Sequence, residues 1–311
     1  MMIEPFPPKA VSRFPRKGFA LLITLSVLTV VIALTAVMLG YLDSARRDAT
    51  NTKALIQANL YFTDIKKIFT STKNKKGFYK ALYQAPVSLR SDNGAFTVYL
   101  GCRPMDNGVN INWLGGGSDP KMKSQYTAAQ KVFDTVVQLY DLADPSRLEE
   151  ILFEAIPHKG EYNTDEMQSR LRQKHGIISY QQFAQLVERY QLETDDRNVD
   201  RVRWRNYFVF NPVRKGKKDD MISGDYLSTA LVAVLFDIDE ESVKEIWDGT
   251  QGSLRRLLAQ FGMDYDKKLF TDKITERAIC EVIYKYQAAQ YRFTFKDIEG
   301  EVKDFAFYGK Q

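Results

Sequence analysis

An uncharged apolar run from Phe19 to Leu42 constrains this chain more than any other feature of its sequence. At about 1.5 Å of rise per residue, a helix over this run is long enough to cross a hydrocarbon core of about 30 Å. The basic residues Arg13, Arg16 and Lys17 precede the run, which favours a cytoplasmic N-terminus. The sequence therefore predicts a single membrane helix over 19–42, with the bulk of the chain on the far side of the bilayer.

Other N-terminal segments share this hydropathy. A cleaved secretory signal peptide has a shorter apolar core, followed by a site of the Ala-x-Ala type. No such site follows this run before the polar stretch that begins at Asp43. An ordinary signal anchor fits the hydropathy and stays an alternative, but it leaves the junction between Gly18 and Phe19 unexplained.

Helical character continues beyond the membrane run. The stretch from Tyr41 to Thr70 contains no Gly or Pro, and its apolar residues recur at helical spacing. These residues are Ala54, Leu55, Ala58, Tyr61, Phe62, Ile65 and Phe69. The pattern predicts one continuous helix that is apolar in its first half and amphipathic in its second.

The basic flank, the Gly18-Phe19 junction and the long helix together resemble the class III leader of type IV pilins and type II secretion pseudopilins. The resemblance implies that a prepilin peptidase cuts between Gly18 and Phe19 and methylates the new amino group of Phe19. Residues 1–18 would then be a prepilin leader peptide.

The fifth residue of the implied mature chain is Ile23, where most pilins carry a glutamate. In the family, that glutamate neutralises the terminal ammonium of a neighbouring subunit, since a lone charge in the bilayer is costly. The large minor pseudopilin K of type II secretion systems typically lacks it. The resemblance to this family implies a subunit at the tip of a filament.

Short β-prone runs stand on both sides of a helix-rich stretch. Strands are predicted at 85–90, 96–105, 109–114, 277–286, 290–297 and 302–308, with a hairpin turn at 91–94. Helices are predicted at 129–142, 146–156, 179–189, 198–205, 226–236, 240–248 and 252–261. The glycine-rich stretch 115–118 suits a domain boundary.

We therefore predict an α+β fold in which a long N-terminal pilin-type helix packs on an antiparallel sheet. An inserted all-α domain interrupts the sheet, and the resemblance implies SAM-like or helix-hairpin-helix-like modules there. The predicted segments are a leader at 1–18, a transmembrane segment at 19–42, a pilin-like helix with first strands at 43–114, an inserted domain at 119–266 and C-terminal strands at 271–311. The insertion divides into modules at about 119–212 and 222–266.

The two cysteines, Cys102 and Cys280, fall in predicted strands. The predicted topology places both in an oxidising compartment, where they can pair in one disulfide. Two small buried thiols remain the alternative, because pairing requires that the two strands be neighbours.

No catalytic motif is present, and the chain is predicted not to be an enzyme. His158 and His175 lack the spacing of a zinc site, and there is no phosphate-binding glycine loop or Cys-x-x-Cys. The net charge of +5, from 44 basic and 39 acidic residues, gives no argument for nucleic-acid binding.

No cofactor is expected to be required, and calcium is the one ion that the resemblance raises, because family members can bind it in the helical insertion. The weak candidates are Asp237, Asp239 and Glu240, with Glu241 beside them. A second set consists of Asp134, Asp141 and Asp144. Acidic residues also favour helix N-termini, which is the alternative explanation for the first set.

The resemblance implies a minor pseudopilin at the tip of the type II secretion pseudopilus, which supports pseudopilus assembly and protein export across the outer membrane. Implied partners are the I-type and J-type minor pseudopilins, the major pseudopilin, the prepilin peptidase and the inner-membrane assembly platform. The implied location is the bacterial inner membrane, crossed once, with most of the chain in the periplasm. A minor pilin of a type IV pilus or competence system, or a signal-anchored periplasmic protein of unknown activity, are the alternatives.

Overall fold

The computed structural model describes residues 17–90, 97–156, 176–212, 221–286 and 289–310. Most of the predicted leader, the predicted turn at 91–94 and both histidines lie outside these ranges. The chain divides into two compact units, the first ending at Asn59 and the second beginning at Leu60. Each unit is described by itself.

The helix α1 runs without interruption over Lys17–Ser71, a length of 55 residues. This confirms the predicted continuous helix. In the first unit, every side chain from Leu21 to Leu42 is exposed, although nearly all of them are apolar.

In the second unit, a short helix α2, Lys75–Gln84, follows α1. The sequence pattern did not predict this second helix. Asn74 begins the new helix there, because its side chain accepts a hydrogen bond from the Gly77 N–H at 3.1 Å. The phenol of Tyr79 on α2 donates to the buried carboxylate of Asp297 at 2.5 Å. Burial, and then this carboxylate, raise the pKa of Tyr79 well above its usual range.

Five antiparallel strands form one sheet. In their order across the sheet, these strands are β1 Val87–Arg90, β2 Thr97–Pro104, β7 Arg277–Tyr286, β8 Ala289–Ile298 and β9 Glu301–Lys310. The predicted union of an early strand pair with a C-terminal meander is confirmed. Strands that are distant in sequence therefore meet at the β2-β7 pair.

One face of the sheet is buried under the end of α1. Along β8, Tyr291, Phe293 and Phe295 are buried, whereas the alternate residues are partly exposed. The ring of Phe295 lies 5.6 Å from that of Phe69 and 5.7 Å from that of Phe62, measured between centroids. The predicted packing of the helix on the sheet is thus seen for the part of α1 within the second unit.

Between β2 and β7 the described chain is mainly helical. The helices are α3 Lys123–Leu139, α4 Pro145–Ala155, α5 Tyr180–Thr194, α6 Thr229–Phe236, α7 Glu240–Ile246 and α8 Ser253–Gln260. The region also contains short 3-10 turns, which are Ile111–Gly116, Pro120–Met122, Asn198–Arg201, Trp204–Asn206 and Gly224–Tyr226. The predicted helix at 198–205 is wrong, because two separate 3-10 turns occupy it. One continuous hydrophobic core runs through this region.

The predicted third strand at 109–114 is also wrong. Only β3, Val109–Asn110, is extended, and it pairs in parallel with β4, Phe208–Val209, instead of joining the large sheet. The Asn110 side chain then accepts from the Asn112 N–H and begins a 3-10 turn. Part of the predicted domain boundary at 115–118 lies within this 3-10 turn, and Gly116 is buried there.

A separate all-α insertion is not confirmed. The helical region contains a second parallel pair, β5 Ile222–Ser223 with β6 Phe270–Thr271. The compact unit that begins at Leu60 also includes the sheet and the helices together. The coarser class, α+β with a long apolar N-terminal helix and an antiparallel sheet, describes the fold.

Candidate functional site

The first unit offers the candidate membrane-anchoring segment. One described helix is long and apolar enough to cross a bilayer, and its most apolar window is fully exposed. Gly18 and Phe19 lie at the start of α1, and the described side chains begin at Leu21. Ile23 is 47% exposed, and its side chain carries no carboxylate.

Three threonine hydroxyls within the apolar run donate hydrogen bonds to the backbone of the helix itself. Thr24 donates to the Leu21 carbonyl at 2.9 Å, and Thr29 donates to the Leu25 carbonyl at 2.8 Å. Thr35 donates to the carbonyl of Val31 in the same manner. Because hydrocarbon offers no partner to a polar group, internal bonds of this kind suit a segment surrounded by lipid.

Charged side chains return where the apolar run ends. Asp43 and Arg47 form an exposed ion pair one turn apart, with 2.7 Å between the carboxylate and the guanidinium. The lipid-compatible part of α1 therefore extends from the first described side chains to Leu42.

The two cysteines are joined in a disulfide. Cys102 on β2 lies directly opposite Cys280 on β7 in the register of the sheet. Cys280 is fully buried, and the two positions are 178 residues apart in sequence. The bond thus ties together the two halves of the sheet around the whole helical region.

A buried polar network lies where the sheet meets the helical region. The Asn112 side chain donates to the carbonyls of Ile177 and Asn211 at 2.8 and 2.9 Å, and accepts from the Ile177 N–H at 2.8 Å. Asn211 donates in turn to the Met105 carbonyl at the end of β2 at 2.9 Å. These amides connect three chain segments that are distant in sequence.

The same junction contains a buried ion pair. Arg277 donates to both carboxylate oxygens of Asp106 at 3.0 Å, and the exposed fractions of the two side chains are 8% and 14%. Asn211 also donates to Asp106 at 3.0 Å. A charge buried here is stable only with its partner, so the pair fixes the start of β7 beside the end of β2.

We expect Asn112→Leu to lower the free energy of unfolding by about 3 kcal/mol, because both buried backbone groups of Ile177 lose their Asn112 partner and the Asn211 carbonyl keeps only its bond from Asn110. Thermal unfolding of the full chain in mild detergent measures the loss. Gln185→Leu removes an amide from an exposed face of α5 and serves as the control. Equal stability of the two variants would contradict a structural role for the network.

Another buried carboxylate, Asp196, accepts hydrogen bonds from three segments of the helical region. It accepts from the Ala143 N–H at 2.9 Å, the Asn198 N–H at 2.9 Å and the Tyr190 hydroxyl at 2.8 Å. Burial acts to raise the pKa of Asp196, but these hydrogen bonds outweigh it and lower the pKa below its usual value.

We expect Asp196→Asn to destabilise the chain by about 2 kcal/mol at neutral pH, because the amide cannot accept all three hydrogen bonds. The carboxylate has a lower pKa in the folded than in the unfolded chain. Its contribution is therefore complete above the ordinary value of 3.8 and disappears as pH falls through the folded value. The difference in the free energy of unfolding between the variant and the wild-type chain should decrease as pH falls, as measured by urea unfolding at several pH values. If this difference does not change with pH, the assignment is contradicted. Asp264→Asn, at an exposed position, is the control.

The calcium candidates do not converge on one point. Asp237 pairs with Lys131 at 2.6 Å, Asp239 caps α7 by accepting from the Ser242 N–H, and Glu240 pairs with Lys244 at 3.3 Å. In the second set, Asp134 accepts from Gln130 and Asp144 caps α4. Asp141 accepts from Asn198 through its backbone carbonyl. Over the described ranges, no three acidic, histidine or cysteine side chains cluster as metal ligands.

Comparison of the chain with protein-family models found no match. Comparison with curated proteins likewise found no significant match.

Sequence reasoning did not find the buried network or Asp196. No local pattern in the sequence links Asn110 or Asn112 to Ile177 or Asn211. A carboxylate near a helix end, such as Asp196, is an ordinary sequence feature, and its role depends on partners from α5 and the connection before α4.

Proposed function

We propose that this chain is a minor pseudopilin of a type II secretion system. A prepilin peptidase would process it after Gly18, and it would assemble at the tip of the periplasmic pseudopilus to support protein export. The observation that carries the proposal is α1, one unbroken helix with an exposed apolar first half. The antiparallel sheet under its last turns adds support.

The proposed mechanism is association. The apolar half of α1 keeps the subunit in the inner membrane, where its threonine hydroxyls are bonded within the helix. After extraction, the same apolar surface packs against the helices of neighbouring subunits, because exposed hydrophobic surface on this scale is unfavourable in water. Neither step needs a catalytic residue or a cofactor.

The tip position is supported by the residue at the fifth mature position. Ile23 supplies no carboxylate for the terminal ammonium of a neighbour, and its side chain is 47% exposed. A subunit that lacks one side of this contact suits a filament end. The bulky helical region, proposed to be SAM-like, would then prevent another subunit from stacking above it.

Co-purification tests the tip assignment. The full chain, produced in mild detergent together with I-type and J-type pseudopilins, is expected to elute with both in one stoichiometric complex. Complex formation with type IV minor pilins alone would favour a pilus or competence system. Recovery of the chain alone under all conditions would contradict assembly and favour a signal-anchored periplasmic protein.

Processing gives an independent test of the junction. We expect Gly18→Leu to abolish cleavage, because a bulky residue replaces the glycine that the peptidase would recognise. Ala20→Leu lies just past the junction and is the matched control. Immunoblots compare the size of each protein in cells with and without a prepilin peptidase. If the wild-type chain has the same size in both strains, processing at this junction is contradicted.

A further inference from the structure

Three exposed arginines lie at alternate positions of one short segment after α5. Arg201, Arg203 and Arg205 are exposed, whereas the residues between them, Val202 and Trp204, are buried. Both buried residues belong to the hydrophobic core of the helical region. The inner side of the segment therefore contacts the core, and the arginine side chains lie on its outer side.

A fourth arginine, Arg103 on β2, belongs to the same surface. It is exposed and lies close enough to Arg205 for the two positive charges to repel each other. Desolvation, and then this repulsion, lower the pKa of Arg103, although Glu281 acts in the opposite direction. Glu281 is itself paired with Arg292 at 3.2 Å. The arginine strip consists of Arg103, Arg201, Arg203 and Arg205.

The positive charge of the arginine strip is not balanced by nearby carboxylates. Over the described ranges, the ion pairs of arginine involve other arginines and none of the four in the strip. Arg201 donates a long hydrogen bond of 3.5 Å to the uncharged Asn198. The adjacent carboxylate, Asp200, accepts from the Gln191 amide of α5 at 2.5 Å and is oriented by that bond. An anionic partner would supply the missing negative charge.

The spacing of the arginine strip favours an extended acidic chain as this partner. In an extended polypeptide, side chains on one side repeat at every second residue, at intervals of about 7 Å. Arg201, Arg203 and Arg205 alternate with buried residues in this way, so carboxylates at every second residue of a facing chain match them. A guanidinium also presents a planar fork of N–H donors, which fits a carboxylate through two hydrogen bonds.

Nucleic acid matches this surface less well. Sites for single strands combine cations with exposed aromatic faces on which the bases stack. Beside the arginine strip, the Arg205 guanidinium carbon lies 4.0 Å from the centroid of the Tyr180 ring and covers one of its faces. Trp204 is 2% exposed. Neither ring offers a free platform for a base.

A second copy of this chain is also less favoured. Its exposed carboxylates at alternate positions are those of Asp237 and Asp239. Asp237 is already paired with Lys131 at 2.6 Å, and Asp239 accepts from the Ser242 N–H at the start of α7.

We propose that the arginine strip binds an acidic segment of a partner polypeptide, extended and with aspartate or glutamate at alternate positions. Each exposed guanidinium pairs with one carboxylate, and the complementary charges speed the encounter and select the register. The proposal is independent of the pseudopilin assignment, because it rests on the arginine strip alone.

A fluorescein-labelled peptide of sequence Gly-Glu-Ser-Glu-Ser-Glu-Gly is the probe. Fluorescence anisotropy measures its binding to the full chain in micelles of a non-ionic detergent at low ionic strength. We expect saturable binding of this peptide and none of the same peptide with glutamine in place of glutamate. The absence of saturable binding, or equal binding of the two peptides, would overturn the proposal.

Two double variants locate the binding surface. Combined Arg201→Gln and Arg203→Gln should weaken peptide binding about tenfold, because two exposed ion pairs are lost. Combined Lys267→Gln and Lys268→Gln makes the same change in net charge at exposed positions outside the strip and should leave binding unchanged. All four side chains are exposed, so we expect unchanged melting temperatures, which verify that both variants are folded. Equal weakening in the two variants would show attraction to net charge alone and would contradict the proposal.

The other occupants give distinct results. Tighter binding of a labelled oligothymidylate than of the acidic peptide would assign the arginine strip to nucleic acid. Self-association of the chain that is lost in the Arg201→Gln, Arg203→Gln variant would assign it to a second copy. Either result would overturn the proposal of an acidic partner polypeptide.

Discussion

Replacement of Cys102 and Cys280 together by alanine should lower the free energy of unfolding by as much as about 5 kcal/mol. The disulfide closes a loop of 178 residues, and a crosslink over so long a loop restricts the unfolded chain strongly. Because the bond joins β2 to β7, its loss also removes the covalent link between the C-terminal strands and the first strand pair, which stay joined by the pairing of these two strands. Thermal or urea unfolding of the full chain measures the effect.

Reduction provides the matched comparison. Dithiothreitol should lower the melting temperature of the wild-type chain and leave that of the double variant unchanged. The absence of any difference between oxidised, reduced and substituted chains would contradict a stabilising role for this bond.

The second large effect is expected for Phe295→Ala. This side chain is fully buried between the sheet and the end of α1, and its ring contacts Phe62, Phe69 and Phe293. Removal of an aromatic ring from a packed core costs about 3–5 kcal/mol, through lost burial and the cavity that remains. We expect the helix end over 60–71 to lose protection from hydrogen exchange before the helical region does.

Phe261→Ala is the matched control, because the same ring is removed from a position that is 39% exposed. It should cost less than about 1 kcal/mol. If both substitutions cost the same, or if exchange increases equally at 60–71 and in α5, the packing of this helix end on the sheet would be contradicted.

Elements with a strong local period were predicted well. The unbroken α1 follows from a long stretch without glycine or proline after Gly40, and β7 and β8 follow from apolar residues at alternate positions. Each of these patterns is contained in the element that it predicts. Elements decided by distant partners were predicted poorly.

The 109–114 stretch shows why. Its apolar residues suit a strand, but Asn110 and Asn112 bind backbone groups of Ile177 and Asn211, and these bonds turn the chain into a 3-10 helix. A cap made by a single residue, Asn74, likewise produced the unpredicted α2. No periodic pattern of residues in the sequence indicates such contacts.

The features of the candidate sites also differ in whether the sequence alone could predict them. The junction at Gly18 and Phe19 and the missing carboxylate at Ile23 can be read from consecutive residues. The pairing of Cys102 with Cys280 required the register of β2 and β7.

Mass spectrometry of the mature N-terminus determines whether the chain is processed as a filament subunit. The chain is purified from a bacterium that carries a prepilin peptidase, and its N-terminal peptide is sequenced. We expect a chain that begins with N-methylated Phe19 and lacks residues 1–18. A chain that begins at Met1, or at any residue other than methylated Phe19, would contradict the assignment of this protein as a filament subunit.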